Sequence, residues 1–158
     1  QNCFLSIVRS LKVIHRFCIF AQMGFIIKKL SSTDYDKILV NWWGDWRWKA
    51  PPKDFLPENG MGGYMVYDGE IPVCAGFVYV TNSKVGWCDW IISNFNYKDK
   101  VKRKEGLKKL ISSLTVVLKK SKCKYAYALI KSDSLIKVYK EEGYLEAGQY
   151  NKEMIKIL

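Results

Sequence analysis

Between Gly63 and Ser93 the chain runs through three strand-like segments joined by tight turns, and this run limits the fold more than any other feature. The first, GYMVY, ends at Asp68-Gly69, a strong hairpin signal. The second, IPVCAGFVYVT, is apolar on both faces, as a strand in the middle of a sheet must be. The third, VGWCDWIIS, follows the turn Asn82-Ser83-Lys84. Short turns force these strands into an antiparallel meander. The character then changes. From Gly106 to Lys122, residues Leu107, Leu110, Ile111, Leu114, Val117 and Leu118 form one apolar stripe at helical spacing. The segment KYAYALI after it alternates as a strand does. A meander followed by a β-α-β crossover requires a mixed sheet with helices on both faces, an α+β single domain.

The flanking segments complete the order β-α-loop-β-β-β-α-β-α-β. FIIKKL reads as a first strand, and Ser31, Ser32 or Thr33 offers the N-cap of a helix carrying Tyr35, Ile38, Leu39 and Trp42. Thr33 and Asp36 stand at capping-box spacing. Proline and glycine make most of 43–63 a loop. Ser132, Asp133 or Ser134 caps a short helix that stops at Gly143, and KEMIKIL closes the sheet as a last strand. Residues 1–22 are expected to be a leader outside the fold. The charges Arg9, Lys12 and Arg16 lie within their apolar stretch, which fits neither a signal peptide nor a bilayer span. The domain is then 23–158.

Composition narrows the chemistry. Lys+Arg number 26 against 15 Asp+Glu, a net +11 that favours anionic partners. Many of the lysines fall between Lys98 and Lys124 around one helix, with no basic tail. This points away from nucleic acid and membrane surfaces and towards a solvated helix face, a few of whose cations could serve a polyphosphate. The five cysteines form no C-x-x-C pair, so neither a disulfide framework nor a zinc site is expected, and a reducing cytoplasm is the natural compartment. Cys74 and Cys88 read as small core residues. His15 is the only histidine, which leaves little room for a serine or cysteine nucleophile with a histidine base.

Two short segments could carry chemistry. Val101 to Leu110 reads VKRKEGLKKL at a helix start, where free amides and the helix dipole favour phosphate. Gly106 would let a ligand approach the backbone, with Lys102, Arg103 and Lys104 adding charge; a glycine in a basic helix face is the bland alternative. Tyr139 to Tyr144 reads YKEEGY, and Tyr139 shares a stripe with Leu135 and Val138, as a core tyrosine would. The seven residues 42–48 hold four tryptophans, which read as a hydrophobic plug at one end of the sheet, an aromatic acceptor pocket or a stacking platform for bases. Trp87 and Trp90 are expected on opposite faces of their strand, both in the core.

Together these segments resemble the GNAT acetyltransferases over roughly 24–158. In that family a loop of pattern [Q/R]-x-x-G-x-[G/A] joins the fourth strand to a helix and holds the pyrophosphate of acetyl-CoA. Arg103-Lys104-Glu105-Gly106-Leu107-Lys108 matches at the arginine and the first glycine, with Lys108 in the final small-residue position. Tyr139 matches the family's tyrosine and Gly143-Tyr144 its terminal glycine-aromatic pair, while Ser132 stands where an asparagine often touches the pantetheine arm.

The resemblance implies an acyl-CoA-dependent N-acyltransferase, with acetyl-CoA as donor, an amine acceptor that the sequence does not name, and no metal. Amides of Ile91, Ile92 and Ser93 would align the pantetheine, Tyr139 would protonate the departing thiolate as general acid, and Asp89 is the candidate base. Gly106→Val would then abolish cofactor binding and leave the fold intact. A GNAT-fold module that binds acyl-CoA without turnover, and a small basic nucleic-acid-binding protein, are the alternatives.

Overall fold

The computed structural model describes residues 24–148 and 155–156. The leader and the closing strand KEMIKIL therefore lie almost wholly outside the described residues. Strand β1 (Ile26–Lys29) leads into a π-helical turn, Tyr35–Leu39, that continues as α1 (Val40–Asp45). Two single 3-10 turns, Lys53–Phe55 and Pro57–Gly60, punctuate the proline-rich loop. The meander follows as β2 (Gly63–Asp68), β3 (Ile71–Val80) and β4 (Val85–Ser93), then α2 (Lys100–Lys120), β5 (Tyr125–Tyr127) and α3 (Asp133–Glu141). The sheet order is β1-β2-β3-β4-β5. Neighbours are antiparallel except β4 and β5, which are parallel. This is the mixed α+β sheet that the patterning requires. Among the described residues no helix is long and apolar enough to cross a membrane.

Alternation along β3 builds both halves of the core. Ala75 and Phe77 face Leu39, Trp42 and Trp43 on one side of the sheet. Cys74 and Val78 face Leu110, Leu114 and Leu118 of α2 on the other. A fully buried Leu or Phe contributes about 1.5–3 kcal/mol, so these two layers supply most of the drive to fold. The β2–β3 hairpin closes at Asp68 and Ile71, and Gly69 takes the left-handed φ of 62° that so short a link demands. Gly143, just past α3, has φ 88° and ends that helix as expected.

Several local expectations are corrected. The first helix has no Ser/Thr cap: Asp34 precedes it and its carboxylate accepts from the Ser31 amide at 2.7 Å. Asp36 pairs with Lys53 at 2.7 Å instead of closing a capping box. Helix α2 starts at Lys100, six residues before Gly106, because Asp99 caps it. The Asp99 carboxylate accepts from the Lys102 amide at 3.0 Å, and its carbonyl from the Arg103 amide at 2.9 Å. Strand β5 pairs over three residues only, although alternation persists to Ile130.

Candidate active site

The site begins with an irregularity in β4. Ala75 pairs with Ile92 and Phe77 with Asp89, so three steps on β4 oppose two on β3. The extra residue is a β-bulge, and Trp90 within it takes a left-handed φ of 53°. The bulge breaks the simple alternation of side chains. Trp87 and Trp90, expected on opposite faces, both line one cavity together with Asp89. Neither is fully buried.

The bulge also bends β4 away from its neighbour. Pairing with β5 covers Val85, Gly86 and Trp87 against Tyr125, Ala126 and Tyr127, and then stops. Past that point Asp89–Ser93 and the segment 129–132 diverge and leave a cleft. An unpaired strand edge inside a protein must find other partners for its backbone. Here side chains supply them. The Tyr139 hydroxyl donates to the Cys88 carbonyl at 2.8 Å, and the Trp46 indole Nε1 donates to the Ser93 carbonyl at 2.7 Å.

The cleft has two adjoining chambers that share Trp48, Ile91, Ser132 and Leu135. The smaller, about 290 Å³, reaches the start of α2, where Lys100, Arg103 and Lys104 line it with Ile92 and Ser93. The larger, about 760 Å³, has Tyr139 and Asp89 in its wall. The tryptophan-rich segment divides between core and cleft. Trp42 and Trp43 are 5% and 3% exposed and plug the sheet, whereas Trp48 is 52% exposed at the junction of the chambers.

The pyrophosphate loop is the main correction. Arg103 to Lys108 lies within α2, so its amides are spent on the helix's own hydrogen bonds and form no cradle. Gly106 is buried on the sheet side; a Cβ there would lie 3.1 Å from Val73 Cγ1 and 3.7 Å from both Cys74 Sγ and Phe25 Cε1. It accommodates the sheet, leaving no ligand access at that point. What remains for an anion is the set of side chains at the helix start. Arg103 donates to the Tyr97 carbonyl at 3.1 Å and lies over the Trp46 ring at 5.7 Å. Lys104 and Lys108 both reach Glu141 of α3, at 2.6 and 3.4 Å. These contacts hold the Glu141 carboxyl below the usual range, the Lys104 hydrogen bond foremost. Glu105 is exposed and Leu107 packs inward against the sheet and α3.

At the inner end, Tyr139 is 2% exposed and its ring meets Tyr144 edge-on at 4.9 Å. Burial raises its hydroxyl far above the ordinary phenol range, with Cys88 and Asp89 adding to the rise. Asp89 Oδ1 accepts from the Trp90 amide at 2.8 Å, which orients the carboxylate on the bulge. Tyr79, which lines the same chamber, is pushed up to about 12, by burial first and by the Asp89 charge second. Asp89 and Tyr139 thus line the same chamber. Trp48 belongs to the run read as a plug or a pocket, whereas no local signal marks Lys100 as a cleft residue.

No family model matches the sequence, and no curated protein matches it either. The fold has clear relatives among solved structures. An aminoglycoside acetyltransferase from an uncultured soil metagenomic sample, solved with sisomicin, superposes with TM-score 0.61 at 11% identity over 85% of this chain and 97% of that one. The ribosomal-protein-S18-alanine N-acetyltransferase of Escherichia coli gives 0.57 at 15% identity over 78% and 79%. An aminoglycoside N-acetyltransferase in complex with CoA gives 0.57 at 12% identity over 85% and 96%. The chain has the fold of the GNAT N-acetyltransferases, which its motifs resemble.

Proposed function

We propose that the chain transfers an acetyl or related acyl group from acyl-CoA to an amine. One observation carries the reading: the bulged β4 and the segment after β5 open a cleft with α2's cations at one end and Tyr139 and Asp89 at the other. The smaller chamber suits an extended acylated pantetheine arm along Ile91, Ile92 and Ser93. Lys100, Arg103 and Lys104 would meet the diphosphate through side chains. Ser132, which lines both chambers, stands beside that path.

The chemistry is direct. The amine nitrogen forms a bond to the thioester carbon, the carbon–sulfur bond breaks, and sulfur leaves with the electron pair. Asp89, in the wall of the larger chamber, would take the proton that the acceptor ammonium must lose. Backbone donors of β4 polarise the carbonyl. Burial raises Tyr139 far above a thiol, so its hydroxyl would keep its proton and stabilise the departing sulfur by a hydrogen bond, while the proton that nitrogen sheds as the amide forms passes to the thiolate through solvent.

A second reading, a module that binds acyl-CoA without turnover, is favoured by the helical state of Arg103 to Lys108. A thermal-unfolding titration with acetyl-CoA comes first. A ligand bound only by the folded chain adds about 2.7 kcal/mol of stability at a hundred times its Kd. No shift at millimolar acetyl-CoA would sink both readings; a shift without turnover over a broad amine panel would favour the module.

A further inference from the structure

The larger chamber is walled by aromatic rings set at steep angles to one another. Trp90 stands edge-on to Trp43, with centroids 6.5 Å apart at 83°, and to Phe55, at 5.6 Å and 88°. Tyr79 and Trp87 complete the wall. Phe55 remains 43% exposed, so the cluster is not closed by the protein itself. Apolar rings gathered around an open cavity of this size mark a place for a ligand.

The charges are as informative as the rings. Among the described residues lining this chamber, Asp89 is the single acid, and Lys49 and Lys131 are both basic. A polycation such as an amino sugar with several ammonium groups would gain one carboxylate and face two lysines. A monoamine gains the carboxylate and the faces of tryptophan rings, which attract a cation directly. The rest of its body then needs to be apolar to fill the aromatic wall. We propose that the acceptor is a monoamine carried on an aromatic or comparably apolar body, its ammonium held at Asp89 between the indoles of Trp87 and Trp90. The inference deepens the acyltransferase reading and rests on it for the word acceptor; the binding site itself stands on the cavity alone.

Calorimetric titration of the full chain, without any acyl-CoA, tests the site with three probes: phenethylamine, its uncharged analogue phenethyl alcohol, and the polycation neomycin. Phenethylamine should bind about tenfold or more tightly than either of the others, one loss removing the charge and the other the apolar match. Phe55→Ala, at a ring 43% exposed, should weaken phenethylamine several-fold while lowering the melting temperature by no more than a few degrees. Neomycin binding as tightly as phenethylamine would overturn the proposal, as would phenethylamine affinity indifferent to both Phe55→Ala and Trp87→Leu. A parallel acetyl-CoA titration separates the two levels. Acetyl-CoA binding without phenethylamine binding refutes the acceptor class and leaves acyl transfer standing. Phenethylamine binding without acetyl-CoA binding keeps the amine site and removes acyl transfer.

Discussion

Replacing Tyr139 by Phe removes one oxygen and separates the two roles that this side chain could have. The ring stays, with its edge-on contact to Tyr144 and its place beside Ile111 and Val138. What goes is the 2.8 Å bond to the Cys88 carbonyl, at the point where β4 has lost β5 as a partner. A buried acceptor left unpaired costs about 1–3 kcal/mol. In a domain of this size each kcal/mol lowers the melting temperature by about 2–4 °C, so a drop of roughly 2–12 °C is expected. If the same hydroxyl also stabilises the leaving sulfur, turnover should fall by roughly ten- to a thousand-fold, near or below the usual range for acid catalysis. Acetyl-CoA affinity should hardly move, because the hydroxyl is needed only as charge develops. Thermal unfolding and steady-state kinetics on the one variant decide the matter. An unchanged melting temperature would refute the bond to Cys88; a lowered one with full turnover would leave Tyr139 a purely structural residue.

Gly106→Val should lower stability by about 1–3 kcal/mol through overpacking against Val73, while Gly106→Ala stays near neutral as improved helix propensity offsets the tight 3.1 Å approach. A Val variant that melts normally yet loses acetyl-CoA would restore the phosphate-cradle role. Asp68 accepts from the Tyr97 hydroxyl at 2.7 Å and Lys102 at 3.1 Å, and these bonds, Tyr97 first, hold its carboxyl below 3.8. The sign follows: its contribution is present above pH 3.8 and is lost as pH falls through the lower folded value. Asp68→Asn should therefore cost about 1 kcal/mol at neutral pH, a difference that shrinks in acid; a pH-independent difference in unfolding free energy would count against it. Burial raises the Cys74 thiol and pushes Cys88 up to about 11, so neither should take up a maleimide at pH near neutral until the chain unfolds, whereas the half-buried Cys123 should. Peptide mapping of labelled protein checks this, and rapid modification of Cys88 would contradict its packing.

Much of the fold was legible because its signals are local. The unbroken apolar run IPVCAGFVYVT, the stripe from Leu107 to Leu118 and the turn at Asp68-Gly69 each report the state of their own segment, and a meander followed by a crossover leaves few ways to build a sheet. The start of α2 was also local, but Gly106 looked like a boundary and hid the cap at Asp99. Tertiary structure alone decided three things: where β5 lets go of β4, that Trp87 and Trp90 share a cavity, and that Gly106 faces Val73. Strand pairing and close packing are properties of two segments at once. The bulge at Trp90 puts a tryptophan at a positive φ, a conformation that its local sequence disfavours and that β3 on one side and the packed indoles on the other hold in place. That one inserted residue turns the edge of a regular sheet into a cleft, and no periodicity within β4 announces it.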